Sequence, residues 1–129
     1  MTKFILSVAA APPVKDGARS IFNPQHPDHG KVLALQAAMS TALAYREPFE
    51  GVPLRLDVRV SRAACKADGL NLINGIADVI QRRTHYGYTK DVWLIDDDAY
   101  IQEFHYSERL ADSDGYELIV SELNPCSSG

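Results

Sequence analysis

The sequence predicts one α+β domain, residues 1–123, built on a mixed β-sheet with two main helices in the order βαβαβββ. Three observations predict it. Residues 52–61 alternate Val52, Leu54, Leu56, Val58 and Val60 with Pro53, Arg55, Asp57, Arg59 and Ser61, the period-2 pattern of a strand with one packed face. Two longer segments repeat apolar residues at spacings of three and four, as helices burying one stripe do. The last third breaks into short apolar runs separated by Asp-rich and Gly-containing turns, as strands joined by tight connections do.

Taken in order, residues 3–9 place Phe4, Leu6 and Val8 on one strand face, and Pro12-Pro13 stops the ladder because proline has no N–H to donate. A long loop runs to His29. Residues 31–46 set Val32, Leu35, Met39 and Leu43 on one helical stripe, with Asp28 placed to cap the first free amides. After the strand over 52–61, a second helix spans 69–83 with Leu72, Ile73, Ile76, Val79 and Ile80 on its apolar side and Asn71, Asn74, Asp78 and Arg82 on the other. Residues 84–91 read as a loop, 92–95 as a short strand, 100–106 as another, and Asp112-Ser-Asp-Gly115 as a turn before a closing strand over 116–123. The tail 124–129 is small, polar and flexible.

At 129 residues and 46% hydrophobic, the chain can bury one core without staples. No run of about 18 apolar residues occurs and the N-terminus is too short and strand-like for a signal peptide, so neither a membrane span nor export is expected. Cys65 and Cys126 form no C-x-x-C pair, which argues against a zinc knuckle or disulfide framework and for a reducing cytoplasm. The net charge of −4 speaks against a nucleic-acid partner only if charge is spread evenly. It is not: residues 1–50 carry +1, residues 51–90 carry +4, and residues 91–129 carry −9.

Two acidic places stand out. Asp96, Asp97 and Asp98 end an apolar run, and three adjacent carboxylates are costly unless a cation or basic partner neutralises them. Magnesium takes one or two carboxylates and fills its remaining positions with water and phosphate oxygens, which suits such a run; a solvated acidic loop is the more ordinary reading of it. Asp68 precedes the second helix, where it can cap the amide of Asn71, and Asn71, Asn74 and Asp78 follow along one face as either a site or an ordinary wet surface. His26-x-x-His29 has no second ligand pair and reads as surface loop. Trp93, Tyr86 and Tyr88 read as core and rim, although the two tyrosines beside Arg82 and Arg83 have the chemistry for stacking bases.

The stretches Asp68-Gly-Leu-Asn71-Leu-Ile-Asn-Gly-Ile-Ala-Asp78-Val and Trp93-Leu-Ile-Asp-Asp-Asp98-Ala-Tyr-Ile101, in that order behind a first strand ending in Pro12-Pro13, resemble the RusA family of crossover-junction endodeoxyribonucleases. The resemblance covers most of the chain. It implies a homodimeric, Mg²⁺-dependent nuclease, with Mn²⁺ as a substitute, that cuts four-way (Holliday) DNA junctions in recombination and repair. By position, Asp68 and Asp98 match the metal ligands, with Asp97 beside them and Asn71 orienting ligands or a phosphate oxygen. Arg55, Arg59, Arg62, Lys66, Arg82 and Arg83 are the expected phosphate contacts on branched DNA. The chain departs from the family pattern at Leu70, where many relatives carry a further Asp, and at Asn74, where they carry a Lys. Two other readings stand beside this one: a catalytically inactive branched-DNA binder, and a small acidic dimeric protein-interaction module.

Overall fold

A computed structural model describes residues 3–14, 23–63, 69–82 and 92–123. The elements are β1 (Lys3–Val8), α1 (His29–Leu43), β2 (Leu54–Arg62), α2 (Gly69–Ile80), a 3-10 turn (Asp98–Tyr100), β3 (Ile101–Leu110) and β4 (Gly115–Glu122). The strands form one mixed sheet in the order β1-β4-β2-β3. β4 runs antiparallel to both β1 and β2, while β3 runs parallel to β2. Parallel neighbours need a crossover, and α2 lies in it. The chain is therefore a small α+β domain with two helices and a mixed sheet, as the sequence predicts, but the sheet has four strands where the sequence predicts five.

The strand over 92–95 is a correction. Ile95 makes only isolated bridges, to Phe49 and Gln81, and no further sheet strand forms there, so the described order is βαβαββ. The reason is visible in the hydrogen bonds: the amides of Leu94 and Ile95 both donate to the Ile80 carbonyl, and Arg82 N donates to the Ile95 carbonyl. A helix end leaves carbonyls without intrahelical partners, and here the short apolar run satisfies one of them instead of joining a ladder. Its side chains still count toward the core, since Leu94 and Ile95 are fully buried.

One face of the sheet carries the core. Phe4, Leu6 and Val8, Leu54, Leu56, Val58 and Val60, and Tyr116, Leu118 and Val120 are buried, in a single cluster with Val32, Leu35 and Met39 of α1 and Ile76, Val79 and Ile80 of α2. The predicted α1 stripe is thus borne out, though the helix stops at Leu43, short of residue 46. The other sheet face has no layer packed on it among the described residues; Ile5, at 54% exposure, points out from it. Asp28 starts α1 but makes no side-chain cap. Its carboxylate instead accepts from Val14 N at 2.8 Å and pairs with Lys31 at 3.1 Å, tying the segment after β1 to the helix.

Two local features carry predictions. Gly51 sits at φ +66°, in the left-handed region that penalises a Cβ, and its amide donates to Asp96 Oδ2 at 3.1 Å. Gly51→Ala is expected to lower stability by about 1–2 kcal/mol in urea unfolding. Tyr116 is buried with no partner for its hydroxyl among the described residues, and burial pushes that hydroxyl far above its ordinary pKa. Because the folded-state value lies above the unfolded one, the neutral phenol's contribution is complete below about pH 10 and is lost as pH rises further. Stability measured between about pH 9 and 11 should therefore fall, and Tyr116→Phe should flatten the fall at no cost below pH 9, because it removes a buried hydroxyl that has no partner among the described residues.

Candidate metal centre and nucleic-acid interface

The acidic run lies where α2 ends. Asp97 adopts an extended conformation and caps the 3-10 turn, its Oδ1 accepting from Ala99 N at 2.9 Å. Asp98 is exposed, and its backbone amide donates to Gln81 Oε1 at 3.2 Å. Gln81 Nε2 in turn lies 3.5 Å from Asp78 Oδ1. One amide side chain thus ties the carboxylate of α2 to the acidic turn. Asp96 points the other way: Oδ2 holds the Gly51 amide, and Oδ1 is buried with no partner. The alternation expected of extended backbone accounts for this separation of Asp96 from its neighbour Asp97.

Asp78 corrects the polar stripe read from the sequence. It is buried, flanked in α2 by buried Ala77, Val79 and Ile80, whereas Asn71 is half-buried and Asn74 exposed. The helix sinks toward its C-terminal end, so the same angular face is wet at Asn74 and dry one turn later. The other end of α2 meets β3: a Cβ at Gly69 would lie 3.2 Å from the Tyr106 ring. Gly69 and Asp98 therefore sit near opposite ends of α2, which is about 16 Å long by helical rise. Leu70, at 70% exposure, stands in the first turn.

Asp68, Lys66 and Arg83 lie outside the described residues. Among the described residues no group of three or more His, Cys, Asp or Glu side chains is placed to hold a metal ion. The turn nonetheless fits a hard divalent cation in one respect. Asp97 and Asp98 are adjacent, exposed carboxylates, and Mg²⁺ is commonly bound through one or two carboxylates with water and phosphate oxygens completing the shell. His26 has a structural role, its Nδ1 accepting from Asp28 N at 3.0 Å.

The four described arginines of the basic segment do not share a surface. Arg55 and Arg59 project from the open face of β2. Arg55 pairs with Glu103 at 2.9 Å and Asp57 at 3.1 Å, and Arg59 pairs with Glu117 at 3.3 Å. Arg62 projects to the helix-bearing side, with Nε 2.8 Å from Glu108 and Nη2 3.3 Å from the Tyr106 hydroxyl. Burial raises the Tyr106 hydroxyl above its ordinary pKa, and the hydrogen bond that Arg62 donates to Tyr106 raises Arg62. Arg82 stacks over Trp93, 5.1 Å from the ring centroid, with Glu50 at 3.8 Å. Each guanidinium thus has a carboxylate beside it, and the partners Glu103, Glu108 and Glu117 come from the acidic last third.

The sheet order explains this. β2 lies between β3 and β4, so Arg55 faces Glu103 and Arg59 faces Glu117 as direct cross-strand neighbours. Opposite charges far apart in sequence meet in the ladder. Most of these pairs are solvent-exposed and hold by only about 1 kcal/mol or less, so a phosphate can displace the carboxylate. No family model and no curated protein matches this chain.

Proposed function

We propose that this chain is a RusA-like, Mg²⁺-dependent endodeoxyribonuclease that resolves four-way DNA junctions in the reducing cytoplasm. One observation carries the reading furthest. The C-terminal end of the first segment that resembles the family meets the second through the neighbouring Gln81, which holds the Asp98 amide and approaches the Asp78 carboxylate. A merely solvated acidic loop needs no such anchor.

In this reading Asp98 holds Mg²⁺ or Mn²⁺ with Asp97 beside it, while Asp68, the other ligand the resemblance implies, adjoins Gly69 in sequence near the far end of α2 and stands apart from that ion within one protomer. When bound, the ion activates a water and offsets charge on the attacked phosphate. The chain does the positioning. Gln81 fixes the backbone of the acidic turn, the Ala99 amide orients Asp97, and Asn71 binds a phosphate oxygen or orients a ligand. Arg55 and Arg59 on the open sheet face, and Arg62 and Arg82 away from it, contact separate stretches of the DNA backbone by exchanging their carboxylate partners for phosphates, with Lys66 and Arg83 as further phosphate contacts. A junction has two strands to cut, which suits a two-fold homodimer with two sites.

A second reading is favoured by Leu70: an exposed leucine where relatives carry a carboxylate suits an inactive protein that still binds branched DNA. Incubating the protein with a synthetic four-way junction and Mg²⁺ or Mn²⁺ separates them. Cleavage supports the nuclease. Binding without cleavage under either ion selects the inactive binder. Affinity that does not change with salt rejects both, since phosphate contacts release counterions and weaken steeply as salt rises.

A further inference from the structure

We propose that the outer edge of β3 pairs antiparallel with β3 of a second copy of this chain, about a two-fold axis through Tyr106. β3 has ten residues and one strand neighbour, β2; among the described residues no strand pairs with its outer side. The other edge strand, β1, buries every second residue, whereas nearly all of β3 is exposed or half-exposed on both faces. On its helix-bearing face Phe104 is 44% and Leu110 92% exposed. Long edges with apolar side chains template strand addition unless something covers them.

The residues of β3 indicate a second copy as the occupant, because the strand is complementary to itself in charge with the axis at Tyr106. With the axis through Tyr106, Glu103 of each copy stands opposite Arg109 of the other on the open face. Arg109 is available for this: its Nε donates to Ser61 at 3.2 Å, and no carboxylate pairs with it among the described residues. His105 falls opposite Ser107, and on the helix-bearing face Phe104 and Leu110 of the two copies become diagonal neighbours beside the paired Tyr106 rings. Cross-strand and diagonal neighbours of this kind are in reach of charged and aromatic side chains. Of the registers that keep each side chain on its own face, only this one sets Arg109 against a carboxylate. A two-residue shift one way sets His105 against Arg109, the other way His105 against itself, and a one-residue shift sets Glu103 against Glu108 and flips every side chain to the wrong face. The charges that discourage indiscriminate pairing thus select this one.

The pairing supplies an interface for the homodimer of the nuclease reading, and its test uses the full chain without DNA or metal, so its outcome is read apart from junction cleavage. Sedimentation from about 1 to 100 μM should show a dimer, a range that detects micromolar association. Arg109→Glu should weaken association at least tenfold, and Arg109→Lys, which keeps the charge, should not. A wild-type monomer, a dimer indifferent to Arg109→Glu, or one weakened as much by Arg109→Lys overturns the proposal. A monomer whose β3 amides are protected from hydrogen exchange would mean that another segment of the chain covers the edge, which overturns it too. As a check that does not depend on those charges, Tyr106→Cys in a chain with Cys65 and Cys126 replaced by Ser should form a disulfide-linked dimer, and Phe104→Cys should not. The reverse pattern would place the axis elsewhere and overturn the register.

Discussion

Asp98→Asn is expected to abolish junction cleavage, lowering the rate at least ~100-fold in Mg²⁺ while leaving junction affinity in the absence of metal within about twofold. The substitution keeps the size of the side chain and leaves the backbone amide of residue 98 free to donate to Gln81, so the turn retains its anchor. What it removes is one negative oxygen, and a neutral amide is a poor ligand for a hard divalent cation. Cleavage of a labelled four-way junction, followed beside wild type and Asp68→Asn, reads the effect. Cleavage by Asp98→Asn at the wild-type rate would remove Asp98 from the site. A fall in thermal stability matching the fall in rate would assign it to structure instead.

Leu56→Ala is expected to cost about 3 kcal/mol, the largest stability effect of any substitution considered. Leu56 is fully buried in the middle of β2, between Val120 of β4 and Phe104 of β3. A central strand flanked on both sides has little freedom to close a cavity, so the removed atoms leave most of their volume empty. Urea unfolding should show a lower midpoint with an unchanged slope; a change below about 1 kcal/mol would mean that the core at β2 is loosely packed.

The parts of the fold governed by neighbours in sequence were legible. The alternation of β2 and the stripe of α1 identify their buried faces residue by residue, because period 2 and period 3.6 are local properties. Residues 92–95 were misread since their apolar run is strand-like, and only the arrival of the α2 carbonyl at Ile80 decides where their amides go. The burial of Asp78 is hidden for a similar reason: its angular position matches that of the polar residues one turn earlier, and what covers the last turn of α2 is a tertiary fact. The charge pattern is the most instructive case. A +4 segment beside a −9 segment suggests two surfaces with different partners, yet the register of β2 between β3 and β4 sets Arg55, Arg59 and Arg62 against Glu103, Glu117 and Glu108. Nothing local in the sequence encodes that pairing. At the candidate site, the resemblance selected Asp97 and Asp98 but not Gln81, whose role appears only when the end of α2 and the acidic turn meet.

The place of β4 in the sheet has a consequence for how the chain comes to be folded. The last strand made, Gly115–Glu122, is inserted between the first, Lys3–Val8, and the second, Leu54–Arg62, which touch no other part of the sheet in common. A nascent chain that has not yet released residue 115 from the ribosome has β1 with no strand to pair with, and its Phe4, Leu6 and Val8 side chains lack the layer that Leu118 and Val120 complete. Such long-range closure slows folding relative to local pairing. The domain should therefore acquire its stability in one late step, after synthesis of the final strand, and a chain cut before residue 115 should be degraded as an unfolded polypeptide even though it retains both helices.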